Sequence, residues 1–368
     1  MKKIIIILLI LLVILIPAFF GLKKIWDHYD KLTAEQHYKL AIEKKIEIKR
    51  GEPVAEIAKK LKREKLIVSD IFFMLMAQST KTAKTLKAGE YLINNNLTTR
   101  QIIELLNKGT NVFYKVTIPE GLTIQEIAKL LARRMNPTIL FSAEKFIEIC
   151  NSNLDYIKKE LNIDVKSAEG FLFPETYTYT KNDNEYTIFQ QMIKQFKKQT
   201  VELQKNLYPL NFNFYDIIIL ASIVQMEATI IDEMPRIAGV YINRLKIGMK
   251  LEADPTVIYA HGYFIEKLNY LHLKIDSPYN TYKYAGLPPT PICNPGLAAI
   301  KHTINYEQHN FLYFVANIDG SHSFATNIKD HNFYKNQRKI QLRNLEKQKK
   351  AAEKSPIKRK IQHPKKKR

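Results

Sequence analysis

The run Asp216-Ile-Ile-Ile-Leu-Ala-Ser-Ile-Val-Gln-Met-Glu227 carries only three polar residues after its first: Ser222, Gln225 and Glu227. It is long for a strand and apolar on all sides, so it reads as a core helix. A carboxylate in such a place is costly to ionise. Burial raises its pKa, and so does the negative pole of the helix if Glu227 lies in the last turn. Both effects hold a proton on Glu227 near neutral pH, as a general acid requires. A glutamate that ends the helix and turns to solvent fits this run equally well, since perturbed groups are only candidates for sites.

At 368 residues the chain has room for two or three domains, and with 46% apolar and 25% charged residues most of it should be globular. The N-terminus stands apart. Residues 1–3 are Met-Lys-Lys, and 4–22 form an uncharged, almost wholly aliphatic run. As a helix that run is about 28 Å long, close to the hydrocarbon thickness of a bilayer. It is predicted to be a transmembrane anchor, with Pro17 as a tolerated kink. A cleaved signal peptide is the rival, but the apolar core is long and Pro-Ala-Phe-Phe-Gly makes a poor cleavage site. Lysines flank both sides (Lys2, Lys3 and Lys23, Lys24), so charge does not decide the orientation.

Net charge is +21, from 57 basic and 36 acidic residues, and the C-terminus supplies much of it. From Lys347 to Arg368 there are 11 Lys or Arg against the single Glu353, with prolines at 356 and 364. Residues 341–368 are therefore predicted to be a disordered basic tail. In a cytosolic protein such a tail suggests nucleic acid. Beyond a membrane the available polyanions are lipid head groups and anionic wall polymers, and an idle solvated tail is equally compatible. Cys150 and Cys293 lack a spacing pattern that would announce a disulfide.

An internal repeat marks the N-terminal half. Ile48, Gly51, Glu56 and Leu61 recur 70 residues later as Ile118, Gly121, Glu126 and Leu131. Each copy reads as a short strand, a glycine turn and an amphipathic helix. The first continues through a helix near residues 69–78 and a strand near 89–93. Strand, two helices and strand resemble a LysM-like module, a fold associated with amino-sugar polymers, and we place it at 44–110. A role in glycan contact and a role as spacer remain open. The second copy, near 116–132, is predicted to pack onto a following domain at 111–340.

That domain carries a series of motifs. Upstream stands Glu169-Gly-Phe-Leu-Phe-Pro-Glu-Thr-Tyr177. Ala221 to Thr229, Ile237 to Leu251 and Asp254-Pro-Thr-Val-Ile-Tyr259 follow. Ser277-Pro-Tyr-Asn-Thr-Tyr282, Gly286-Leu-Pro-Pro289, Asn294-Pro-Gly296 and Tyr313-Phe-Val-Ala316 complete the series. This ordered set, from about residue 44 to about 335, closely resembles the endolytic murein transglycosylase, or YceG-like, family. The resemblance places the family's catalytic acid at Glu227. A second glutamate common two positions earlier is Gln225 here, and the usual Pro-Asp-Thr is Pro174-Glu175-Thr176. It further implies a catalytic domain outside the cytoplasmic (inner) membrane, peptidoglycan glycan strands as substrate, and a peptidoglycan synthase (penicillin-binding protein) as partner, with no nucleic acid.

The implied chemistry needs one carboxyl group. The acid protonates the oxygen between N-acetylmuramic acid and N-acetylglucosamine. The deprotonated glutamate then takes the proton of the muramyl 6-hydroxyl, closing a 1,6-anhydro ring without water. One residue acts as acid and then as base, so its pKa must lie near the working pH. Ordinary hydrolysis needs a second carboxylate, for which Asp254 is the natural candidate. Asp254 before Pro255 also reads as a helix N-cap. Glu175 is either a turn residue or a substrate contact. Asn280 either meets an N-acetyl group or holds the Pro278 turn. Tyr259, Tyr279 and Tyr282 offer faces for stacking on sugar rings, although 20 tyrosines weaken the inference for any one. No metal or cofactor is expected: the nine histidines show no ligand spacing, and no phosphate loop or nucleophile elbow occurs.

The expected architecture is α+β: a transmembrane helix, one or two LysM-like α/β modules and a mixed α+β catalytic domain. The expected function is a membrane-anchored lytic transglycosylase acting on nascent strands. A muramidase-type hydrolase and a non-catalytic glycan-binding scaffold are the alternatives.

Overall fold

The computed structural model describes residues 17, 19–205, 212–262, 265 and 268–354. The predicted anchor at 4–22 therefore lies outside the described residues except for its last positions. Among the described residues no helix is long and apolar enough to cross a membrane. The fold is mixed α+β and divides into two compact units. One comprises the described residues up to Val116 together with Thr178–Asn184, and the other comprises Thr117–Tyr177 and the chain from Glu185 onward.

The first unit begins with helix α1 (residues 19–31) and α2 (Ala34–Tyr38). It continues through β1 (Glu43–Ile48), α3 (Val54–Arg63), α4 (Asp70–Ser79), β2 (Gly89–Asn94) and α5 (Thr99–Lys108). The strand–helix–helix–strand order is the one the repeat predicts. β1 and β2 pair antiparallel, with Ile46 opposite Tyr91 and Ile48 opposite Gly89. Strand alternation points Ile46 and Ile48 inward, and the helical period puts Ile57, Ala58 and Leu61 on one face of α3. These close a core with Phe73 and Met76 of α4 and Ile102, Ile103 and Leu106 of α5. Each such fully buried aliphatic chain contributes about 1.5–3 kcal/mol relative to exposure. Gly51 makes the turn between β1 and α3 at φ +77°, a conformation that favours glycine.

Strands β3 (Tyr114–Thr117) and β4 (Thr176–Tyr179) pair in a two-stranded sheet. Between them lie α6 (Ile124–Met135), α7 (Ala143–Ser152) and α8 (Leu154–Leu161), and after them α9 (Glu185–Gln204). The second repeat copy has the same form. Gly121 sits at φ +79°, and α6 buries Ile127, Ala128 and Leu131, the equivalents of Ile57, Ala58 and Leu61. The copies differ at the helix start. Thr123 and Glu126 form a reciprocal capping box, whereas the first copy has Pro53 there and its Glu56 pairs with Lys59.

The apolar run forms α10 (Phe214–Glu227), started by a capping box between Asn213 and Asp216. Every residue from Ile217 to Val224 is buried. Around it lie α11 (Met234–Lys246), α12 (Asp254–His261) and α13 (Leu297–Ile304). Leu220, Ile223 and Val224 join Ile237, Tyr241, Ile242 and Ala299 in one core. A hairpin of β5 (Tyr313–Ala316) and β6 (His322–Ala325), with Phe314 opposite Phe324, precedes the exposed α14 (Ile328–Lys354).

The predicted disorder from residue 341 needs correction, because 341–354 continue α14. Leu, Arg, Glu, Lys, Gln and Ala dominate that stretch and all favour a helix. The first proline comes only at position 356, beyond the helix end. Cys150 and Cys293 are both buried and free.

Candidate functional site

Glu227 is the last residue of α10, and the helix stops because Ala228 turns extended, at φ −78° and ψ 119°. Its side chain is half-buried. From α11, the buried Tyr241 donates its phenol hydrogen to Glu227 Oε1 at 2.9 Å. One turn further, Arg244 is 7% exposed. Its guanidinium donates to the carbonyls of Leu312 (2.6 Å), Lys250 (3.1 Å) and Leu251 (2.8 Å) and lies over the Tyr313 ring. At the start of α12, Asp254 Oδ1 accepts from the Tyr282 hydroxyl at 2.6 Å.

These neighbours act on one proton. Burial pushes Glu227 up to about 7; the Tyr241 hydrogen bond pulls it down, the Asp254 charge pushes it up and Arg244 pulls it down. Burial, the bond to Asp254 and nearby acidic charge hold the Tyr282 phenol well above its ordinary value. Both tyrosines therefore stay protonated donors while the carboxyl titrates near neutrality.

Of the residues predicted from sequence, Glu227, Asp254 and Tyr282 come together here. Asp254 is not the helix cap. That position falls to Ala253, whose N–H donates to Thr281 Oγ1 at 2.9 Å. Thr256 Oγ1 then donates to the Ala253 carbonyl at 2.7 Å, so the helix start is anchored without the aspartate. Tyr259 and Tyr279 form a ring pair 4.9 Å apart. The Tyr259 hydroxyl points to Glu169 Oε2 (3.4 Å), and that of Tyr279 bonds Thr290 Oγ1 (2.8 Å). Asn280 is fully buried and spends its amide on the loop. Its Nδ2 donates to the carbonyls of Leu273 and Ile275, and its Oδ1 accepts from Tyr282 N. Glu175 is exposed and bonds Thr176 N and Gln195, neither of which belongs to the Glu227 group.

Another carboxyl of the same unit is deeply buried. Glu169 is 1% exposed and accepts from Ile124 N at the start of α6 (3.1 and 3.2 Å) and from Asn294 Nδ2 (2.7 Å). Burial pushes it up to about 8, against the pull of these donors and of Tyr259. Asn294 Oδ1 in turn accepts from Gly170 N (3.0 Å) and Leu172 N (2.9 Å). The segment carrying Asn294 is pinned to α10. Ser222 Oγ accepts from Ile292 N at 3.0 Å, and Gln225 Oε1 accepts from Gly296 N at 2.9 Å. Three motifs far apart in the chain are thus joined into one scaffold that includes α10. The acceptor role of Gln225 is one that a carboxylate serves equally.

Sequence reasoning misses Tyr241, Arg244 and Glu169 as members of this site, although each lies inside a quoted motif. Tyr241 and Arg244 share the i, i+3 spacing of one helix face, and that spacing was the available signal. Among the described residues no cluster of His, Cys, Asp or Glu is arranged to hold a metal ion.

The profile of the YceG-like family matches residues 46–337. The chain is 33% identical over 304 residues to the endolytic murein transglycosylase of Bacillus subtilis (strain 168), covering 78% of this chain and 82% of that protein. It is 27% identical over 340 residues to the endolytic murein transglycosylase of Streptococcus pneumoniae serotype 2 (strain D39 / NCTC 7466), covering 85% of this chain but 61% of that protein. A crystal structure of a YceG-like protein from Listeria monocytogenes, 29% identical, aligns with a TM-score of 0.55 over 79% of this chain and 98% of that one. The chain belongs to the YceG-like family.

Proposed function

We propose that this protein is a peptidoglycan lytic transglycosylase that cuts within glycan strands, with Glu227 as its single acid–base group. The observation that carries this reading is the Glu227 carboxyl itself. It ends a buried helix, is held up to about 7 and so exchanges a proton at neutral pH. The names of the Bacillus and Streptococcus relatives support the same reaction and substrate.

In this reading Glu227 donates its proton to the glycosidic oxygen between N-acetylmuramic acid and N-acetylglucosamine, and the C1–O bond breaks. Positive charge develops at C1, where the substrate's own N-acetyl group can stabilise it. The ionised Glu227 then removes the proton of the C6 hydroxyl, and O6 closes onto C1 as the anhydro ring. Asp254, committed to Tyr282, keeps the Glu227 proton affinity high by its charge.

We further read the aliphatic run at 4–22 as a membrane anchor that confines the enzyme to newly made strands, a setting in which a peptidoglycan synthase is the expected partner. The strand–helix–helix–strand unit is read as LysM-like.

Mass analysis of glycan digested by the protein tests the reaction. Anhydro ends are lighter by one water than the reducing ends a hydrolase leaves, and reducing ends would replace this reading with the hydrolase.

A further inference from the structure

We propose that Tyr241 is the positioning residue of the acid–base step: its hydroxyl occupies Glu227 Oε1, so that the transferred proton leaves from and returns to Oε2. The inference rests on the assignment of Glu227 as the acid and goes beyond it.

A phenol has one hydrogen, and here it points at Oε1 from 2.9 Å. A protonated carboxyl carries its hydrogen on one oxygen. An oxygen already accepting from a phenol is the poorer place for it, so the hydrogen sits on Oε2. After proton transfer the same phenol stabilises the carboxylate, because a hydrogen bond to the charged form favours it. Tyr241 keeps its own hydrogen throughout, since burial and the adjacent Glu227 hold its phenol well above the ordinary value. No proton passes through the tyrosine, and the balance of the step is unchanged.

Tyr241 is built to hold this pose. It is 1% exposed, sits in the core with Ile223, Val224 and Ile237, and meets the Phe314 ring edge-on at 5.7 Å and 89°. The charged and titratable groups facing Glu227 are Tyr241 and Arg244 from α11 and Asp254 from α12; Tyr282 stands behind Asp254 and also acts on Tyr241. Of these, Tyr241 is the group hydrogen-bonded to Glu227: Arg244 is engaged by backbone carbonyls and by Glu252, and Asp254 by Tyr282.

The test is the pH dependence of kcat/KM on isolated glycan strands. Full-length wild type, Tyr241→Phe, and protein carrying 3-fluorotyrosine at position 241 are compared, with Glu227→Gln in the same assay. Loss of the hydroxyl should raise the pH midpoint at which activity falls, and lower kcat by about 10–100-fold through a loosened carboxyl. Fluorine makes the phenol a stronger donor with little change of shape, so the midpoint should fall. Opposite shifts in the two variants support the proposal. A midpoint that stays fixed, or moves the same way in both, overturns it and leaves Tyr241 as packing alone. If Tyr241→Phe does not fold, the fluorotyrosine protein decides by itself. An active Glu227→Gln protein would instead sink the assignment of the acid.

Discussion

The proton on Glu227 is held by opposing neighbours, and each makes a separate prediction at the scale of a residue. Glu227→Gln keeps the size of the side chain but cannot donate a proton, so the cleavage rate should fall by about 10²–10⁴-fold with the fold intact. The same variant carries a stability signature. The folded-state value of about 7 lies above the ordinary 4.5. The folded protein therefore holds this proton more tightly than the unfolded chain. The associated stability is fully present below pH 4.5 and is lost as pH rises to about 7. Glutamine removes that loss, so Glu227→Gln should raise Tm at pH 8 by about 2–4 °C relative to wild type. Little change should appear at pH 4. Calorimetry at the two pH values reads this directly, and equal shifts at both would contradict the raised proton affinity of Glu227. Asp254→Asn keeps an acceptor for Tyr282 but deletes a negative charge, so Glu227 should titrate lower. Its kcat/KM should stay within about tenfold of wild type near pH 6 and decline at lower pH than the wild-type rate does. A loss as deep as that of Glu227→Gln would make Asp254 a reacting group.

At the scale of an element, the site depends on how α11 and α10 are seated. Gly239 lies on α11 two residues before Tyr241. A β-carbon there would stand 2.5 Å from the Glu307 carbonyl oxygen and 2.6 Å from His309 Nε2. Both belong to a segment that cannot move freely, since Glu307 N bonds Pro235 O and His309 Nε2 bonds Arg236 O. Gly239→Ala should therefore cost about 1–3 kcal/mol and displace Tyr241, lowering Tm and kcat together. Gly296 makes the contrast. Its added β-carbon would meet the carboxyl end of Glu120, an exposed side chain that can swing away. Gly296→Ala should be nearly neutral in a thermal melt. An equal effect at both glycines would mean that backbone packing is not what places α11. The repeated glycine turns were legible without coordinates because each is a local pattern. The start of α12 was not, because the cap position read for Asp254 falls to Ala253, whose N–H is held by Thr281, 28 residues further on.

At the scale of the whole molecule, the described C-terminal part of α14 contributes charge rather than core. Residues 335–348 of α14 are exposed, so truncation after position 340 should leave Tm within about 1 °C and cleavage of isolated glycan within a few-fold of wild type. The 11 basic residues from 347 to 368 should instead govern binding to anionic vesicles. Each is worth about 1 kcal/mol near such a surface, screened over about 8–10 Å at physiological salt. Truncation should weaken vesicle binding at low salt and hardly matter at high salt. A truncated protein that unfolds or stops cutting would place the tail in the catalytic domain.

The amino-acid sequence by itself determined what depends on neighbours along the chain. It showed a core helix closed by a carboxylate, a strand–turn–helix unit repeated at 70 residues, and the ordered motifs of a family. Apolar periodicity, glycine turns and capping residues act over a few positions, so they can be read without coordinates. Only the tertiary structure decided which polar groups meet. Tyr241 reaches Glu227 across 14 residues, Tyr282 reaches Asp254 across 28, and Asn294 reaches Glu169 across 125. A contact of the same kind, across 90 residues, turned Tyr259 toward Glu169. Proton affinity follows burial and partners in space, and neither is a function of spacing along the chain.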